Sequence, residues 1–107
     1  MASGKEYLDF VMEQLSDLED LRARPMMGEY VLYYRGKVVG GVYDNRLLLK
    51  PTATALQLVR DSGTPVQWEL PYEGAKEMLA ADIDHPENTC RLIRAIAEDL
   101  PVPKKSK

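Results

Sequence analysis

The chain has 107 residues, 45% of them hydrophobic and 29% charged, which fits a single globular domain with one core. Its net charge is −3, and the last four residues, Lys104-Lys105-Ser106-Lys107, hide a more acidic body of 11 basic and 17 acidic side chains, a net of −6 over residues 1–103. A body of that sign repels phosphate backbones, and a single cysteine excludes an intrachain disulfide or a Cys-x-x-Cys site.

No uncharged run approaches the roughly 20 apolar residues of a membrane helix. The opening MASGKEY carries no basic-then-apolar leader, so a cytoplasmic location is expected, with no membrane partner.

Ser3 followed by Glu6 reads as a capping box, and Leu8, Val11, Met12, Leu15 and Leu18 then recur at helical spacing. A first amphipathic helix follows from this, ending near Ser16. Leu21–Arg24 is the next extended segment, since Pro25 biases Arg24 away from helix. Met26-Met27 offers thioethers, which favour soft metals. Neighbouring residues of an extended chain point to opposite faces, and no third ligand lies close in sequence. Packing of an adaptable side chain is the expected role.

Gly28 permits a bend into Tyr30–Tyr34, a run apolar on both faces, as in a covered central strand. Arg35-Gly36 reads as a tight turn, residues 37–43 as the partner strand, Asp44-Asn45 as a second turn, and residues 46–50 as a further strand. The result is an antiparallel meander. Gly40-Gly41 inside a strand marks a bulge or a close helix contact rather than a ligand site. Pro51-Thr52 opens a short helix over residues 53–61, with Ala55, Leu56 and Val59 inward and Gly63 as its stop.

Residues 66–70 alternate, Val66, Trp68 and Leu70 on one face, Gln67 and Glu69 on the other, as in a half-exposed strand. Residues 75–80 extend again. Asp84 is expected to cap the last helix, Glu87 to complete a capping box and Pro86 to sit in the first turn. Cys90, Ile93, Ala97 and Leu100 form its apolar stripe, with Ile96 beside it, and Pro101 and Pro103 end it. Residues 1–103 thus make one α+β domain, an antiparallel sheet of 4–6 strands packed in two layers against N-terminal, middle and C-terminal helices. Residues 104–107 are expected to form a disordered basic tail.

Chemistry is sparse. Residues 82–88 gather acids around the only histidine, but a calcium loop needs more oxygen ligands around a glycine and zinc needs further ligands. His85 and Cys90 diverge by about 140° on one helix, so they form no nucleophile–base pair. No Gly-x-Ser-x-Gly elbow or phosphate loop occurs. Neither catalysis nor a cofactor or metal is expected. Six tyrosines against one phenylalanine is the unusual count. Tyr30, Tyr33, Tyr34 and Tyr43 fall on neighbouring strands and could share one sheet face, serving as core, as a protein contact, or as a stacking platform for bases.

The segments RPMMGEYVLYYRGKVVGG, DNRLLLK, PYEGAKEML and DHPENTCRLIRAIAEDLP together resemble the N-terminal domain family of the TfoX (Sxy) competence regulators. That family shows Arg-x-Met-Phe-Gly-Gly before a tyrosine-bearing strand, a Gly-Lys turn and a strand ending Leu-x-Leu-Lys. Arg24, Met26, Gly28, Tyr30, Tyr33, Gly36, Lys37, Leu47, Leu49 and Lys50 match it, while Met27 replaces the Phe and Glu29 the second Gly.

The resemblance spans residues 6–100 and implies a two-layer α+β domain acting in regulation. Full-length TfoX proteins add a C-terminal domain of helix-hairpin-helix character, for which 107 residues leave no room, so a stand-alone N-terminal domain is expected. The leading functional expectation is a non-enzymatic module for protein contacts, a homodimer being one form of contact, through the tyrosine strands or the strand holding Trp68. The alternative is a nucleic-acid accessory protein using the sheet tyrosines and the lysine tail.

Overall fold

The computed structural model describes residues 4–63, 65–81 and 83–101. Three helices, α1 (Lys5–Gln14), α2 (Ala53–Asp61) and α3 (Pro86–Asp99), accompany six strands: β1 (Leu21–Met26), β2 (Glu29–Tyr34), β3 (Lys37–Tyr43), β4 (Arg46–Leu49), β5 (Trp68–Glu69) and β6 (Met78–Ala80). The sheet is open and antiparallel throughout, in the order β1-β2-β3-β4-β6-β5. The first four strands are the expected meander. The chain then crosses through α2, lays β5 on the far edge, and returns with β6 between β5 and β4.

The three meander turns are two-residue loops whose central residues are left-handed, the signature of type I′ hairpins. They are Met27-Gly28 (φ 53° and 86°), Arg35-Gly36 (53° and 80°) and Asp44-Asn45 (52° and 56°). The positive φ of the first turn falls on Met27 and Gly28, and Glu29 is already a strand residue. Helix α2 starts as its sequence indicates: the Thr52 hydroxyl accepts the Ala55 N–H.

Two caps differ from expectation. Gly4 is the N-cap of α1, and the Ser3 box rests on a residue outside the described ones. In α3 the N-cap is His85, with Pro86 at the first helical position, so Asp84 stands one residue too early for that role. Glu87 remains as an acid in the first turn, where it complements the helix dipole.

One face of the sheet carries the core. Leu8 and Val11 of α1 with its C-cap Leu15, Ala55 of α2, and Cys90, Ile93, Ile96 and Ala97 of α3 pack on Leu21, Leu32, Tyr34, Val39, Val42, Leu47, Leu49 and Leu79. The helices are clasped at their ends. Asp99 accepts the Thr54 N–H (2.8 Å) and hydroxyl (2.6 Å), joining α3 to α2, and Lys37 Nζ donates to the Ala97 carbonyl (2.6 Å), placing a cation at the C-terminus of α3.

The register of β2 against β3 is regular from Tyr34↔Lys37 to Tyr33↔Val38, then shifts, so that Leu32 pairs with Gly40. Val39 is the extra residue of a β-bulge, as the glycine pair suggests. The neighbours of the glycines are strand residues, β4 at Gly40 and β2 with the Tyr43 ring at Gly41, not a helix. A Cβ on Gly40 would lie 2.2 Å from the Leu48 carbonyl oxygen, and one on Gly41 would lie 2.7 Å from the Tyr43 ring. The bulge also resets which side chains face inward. Beyond it Val42 turns to the helices and Tyr43 to the opposite face, the reverse of an unbulged ladder.

Candidate interaction surface

Cross-strand pairs share a sheet face, so the register divides the tyrosines. Tyr30 and Tyr34 lie on the helix side with Leu32, and Tyr33 and Tyr43 lie on the other side with Val31 and Leu48. The four rings therefore do not form one platform, because Tyr30, Tyr33 and Tyr34 have mixed parity on β2 and the bulge moves Tyr43.

The open face is itself partly covered. The Tyr43 ring lies over Gly41, and Tyr72 meets it at 6.4 Å between ring centroids. Arg46 fixes that segment by bonding the Glu69 carboxylate and the Leu70 carbonyl (2.9 Å), and Pro71 is buried beneath it. Burial, with smaller contributions from Tyr72 and Glu29, raises the Tyr43 phenol above its ordinary pKa. Glu29 accepts the Asp44 N–H with both oxygens (3.1 Å each), tying β2 to the β3–β4 turn.

What stays accessible on this face is its β1–β2 end: Arg22, Arg24 and Met26 of β1, and the half-buried Tyr33 and Val38. The Arg24 guanidinium sits 5.7 Å from the Tyr33 ring centroid. Such exposed cation–π pairs contribute roughly 0.5–1 kcal/mol. At the hairpin tip Met27 is 98% exposed and Met26 49%, so the expected packing role for this pair does not hold. Met12 does pack against the core.

The outer edge of β1 is poorly suited to adding a strand. The Arg35 N–H donates to the Asp20 carbonyl, which sets the even-numbered residues toward β2 and the odd-numbered ones outward. Of the outward donors, Leu21 N–H is taken by the Leu18 carbonyl and Pro25 has none, which leaves Ala23. The Leu21 carbonyl accepts Arg22 Nη1 (3.1 Å). Contacts here must therefore be made by side chains.

The second expected surface lies at the other edge. Trp68 belongs to β5, which has only two residues, and is 42% exposed, with Leu70 and Tyr72 also exposed beside it. The alternation of Val66, Trp68 and Leu70 suggests one apolar face, but only Val66 packs on the core. A third exposed aromatic, Phe10, contacts Tyr7 on α1 at 6.3 Å. It falls off the stripe of Leu8, Val11 and Leu15, and that mismatch was its sequence signal.

The remaining family-pattern residues are structural. Gly28 and Gly36 make turns, and Leu47 and Leu49 are buried. The Lys50 N–H donates to the Val39 carbonyl at the bulge (2.9 Å). Cys90 is buried, and desolvation raises its thiol pKa against the opposing influence of Arg94, which makes it a poor nucleophile. Among the described residues there is no group of three or more His, Cys, Asp or Glu able to hold a metal ion, and no helix long and apolar enough to cross a membrane.

The result is a small two-layer α+β domain with an exposed β1–β2 hairpin tip. The chain belongs to the TfoX N-terminal domain family, whose profile matches residues 13–98. It is thus a competence-regulator-like domain, of a family not known as enzymatic. It is also 37% identical over 109 aligned positions to an uncharacterized 12.7 kDa protein in the trpE 5′ region of Spirochaeta aurantia, a match covering all of this chain and 91% of the relative.

Proposed function

We propose that this domain is a non-catalytic regulatory module that binds a protein partner through the β1–β2 hairpin. The observation that carries this reading is Met27. An apolar side chain at φ 53° and 98% exposed breaks two local preferences at once, backbone conformation and burial, with no contact to offset them. Such a residue fits a partner's apolar pocket, and methionine adapts well to such pockets.

Charge gives the partner's sign. Arg22 and Arg24 are exposed on β1 on the same sheet face as Met26, leading up to the Met27 tip. An acidic rim around an apolar pocket is the matching chemistry. Base stacking gains no support, because Tyr30 and Tyr34 face the helices and Tyr43 is covered.

A photo-cross-linking amino acid placed at Met27 in the source cells tests the proposal. A discrete protein adduct that forms from position 27, fails from Glu13 on α1, and disappears with Arg24→Glu is the expected result. An adduct of twice the chain mass identifies the partner as a second copy. No adduct, or adducts with nucleic acid alone, overturns the proposal. Fluorescence-anisotropy titration of single- and double-stranded DNA at two salt concentrations, using the full chain and one ending at Pro103, is expected to show no binding that survives removal of the tail.

A further inference from the structure

At the opposite end of β2 from the Met27 tip, roughly 17–20 Å away by strand length, a shallow cleft of about 280 Å³ is lined by Tyr34, Arg35, Lys37, Arg94, Ala97 and Glu98. Three cations from three separate elements converge there: the β2–β3 turn, β3 and α3. We propose that this cleft binds a phosphate monoester dianion.

Two of the cations are held in place by other contacts. The Arg35 guanidinium lies 5.3 Å from the Tyr34 ring centroid and pairs with Asp20 at 3.6 Å. Lys37 Nζ spends one of its three donors on the Ala97 carbonyl, leaving the others for a ligand. That bond also offsets the negative end of the α3 dipole, which would otherwise oppose an anion here. The third cation, Arg94, is exposed and has no hydrogen bond or ion pair among the described residues, although Glu98 lies one helical turn away.

The charge and shape select the ligand class. Three cations against the Glu98 carboxylate and the Asp20 carboxylate paired with Arg35 leave a surplus of one positive charge, and the donors of two guanidinium groups and an ammonium suit the oxygens of a phosphate monoester. A carboxylate has two oxygens and is filled by one guanidinium fork. A phosphate offers three, enough for two guanidinium groups and an ammonium. The ring of Tyr34 is buried under Arg35, so the cleft offers no stacking surface for a base and reads the phosphate group alone.

Such a group can come from a free small molecule or from a phosphorylated side chain, and one titration separates them. Backbone amide shifts of the full chain are followed by NMR against inorganic phosphate and against a phosphoserine tripeptide, with ionic strength held constant by sodium chloride. Saturable shifts confined to residues 34–37 and 94–98 are expected. Arg94→Gln is expected to weaken them about ten-fold or more, as the loss of a charge-assisted hydrogen bond implies, while Arg60→Gln on α2 leaves them unchanged. Tighter binding of the tripeptide assigns the site to a phosphorylated chain, and equal or weaker binding assigns it to a small molecule. Shifts that do not saturate, that chloride reproduces, or that persist in Arg94→Gln overturn the proposal, with no bearing on the hairpin.

Discussion

Met27→Asn should make the domain more stable while impairing its function. A non-glycine residue in the left-handed region costs roughly 1–2 kcal/mol, and asparagine tolerates it far better because its short amide bonds locally. Almost nothing is lost in exchange, since the side chain is 98% exposed. Even ~10 Å² of buried apolar surface would be worth only about 0.25 kcal/mol. The expected gain is about 0.5–1 kcal/mol, or roughly 3–6 °C in Tm for a domain of this size. Urea unfolding should show a higher midpoint with an unchanged slope. Met27→Gly should gain less, because glycine also frees the unfolded chain. The photo-cross-linking probe moved to Tyr33 should lose its adduct in Met27→Asn. A midpoint that stays the same or falls would mean that the thioether is stabilised by contacts within the fold, and would refute the reasoning.

Lys37→Met should cost about 1–2 kcal/mol, since it removes a charge-assisted bond from the last turn of α3, and hydrogen exchange should rise there before it rises in β2. Gly40→Ala should be at or beyond the top of the roughly 1–3 kcal/mol range for overpacking, because its Cβ would meet backbone that cannot rotate away, and far-UV circular dichroism during urea titration reads the loss. Asp99 has its carboxyl pKa lowered by the Thr54 hydroxyl, then the Thr54 N–H and the Thr52 hydroxyl. Its contribution is therefore present above the ordinary aspartate value of about 4 and is lost as the pH falls through the lowered folded value. The stability gap between the wild type and Asp99→Asn should be visible at pH 7 and close below about pH 4.

The sequence was most legible where punctuation is unambiguous. Arg35-Gly36 and Asp44-Asn45 tolerate left-handed backbone, and Pro51-Thr52 placed α2 to the residue. It was less legible where several residues competed for one role, as at Asp84, His85 and Pro86, where His85 took the cap. The tyrosines failed for a geometric reason. On β2 they occupy both parities, and on β3 the face of Tyr43 depends on one inserted residue, Val39, that no periodicity rule reveals. Of the exposed apolar residues, Trp68 was visible as part of a half-exposed edge strand. Met26-Met27 was hidden because it reads as core material, and only the turn geometry shows that Met27 points to solvent.

The bulge has a consequence for how the sheet assembles. A hairpin zipping outward from Arg35-Gly36 meets Leu32 with two admissible continuations, and the uninterrupted one would carry Tyr43 into the interior and turn Val42 out. In the native frame the Tyr30 carbonyl of β2 closes on Gly41, and the β4 backbone closes on Gly40. When the Leu48–Leu49 backbone docks, it leaves room at Gly40 for a hydrogen atom and little else. The fourth strand thus acts as a proofreader of the reading frame between the second and third. A chain truncated before Arg46 would lack the template that selects the native frame.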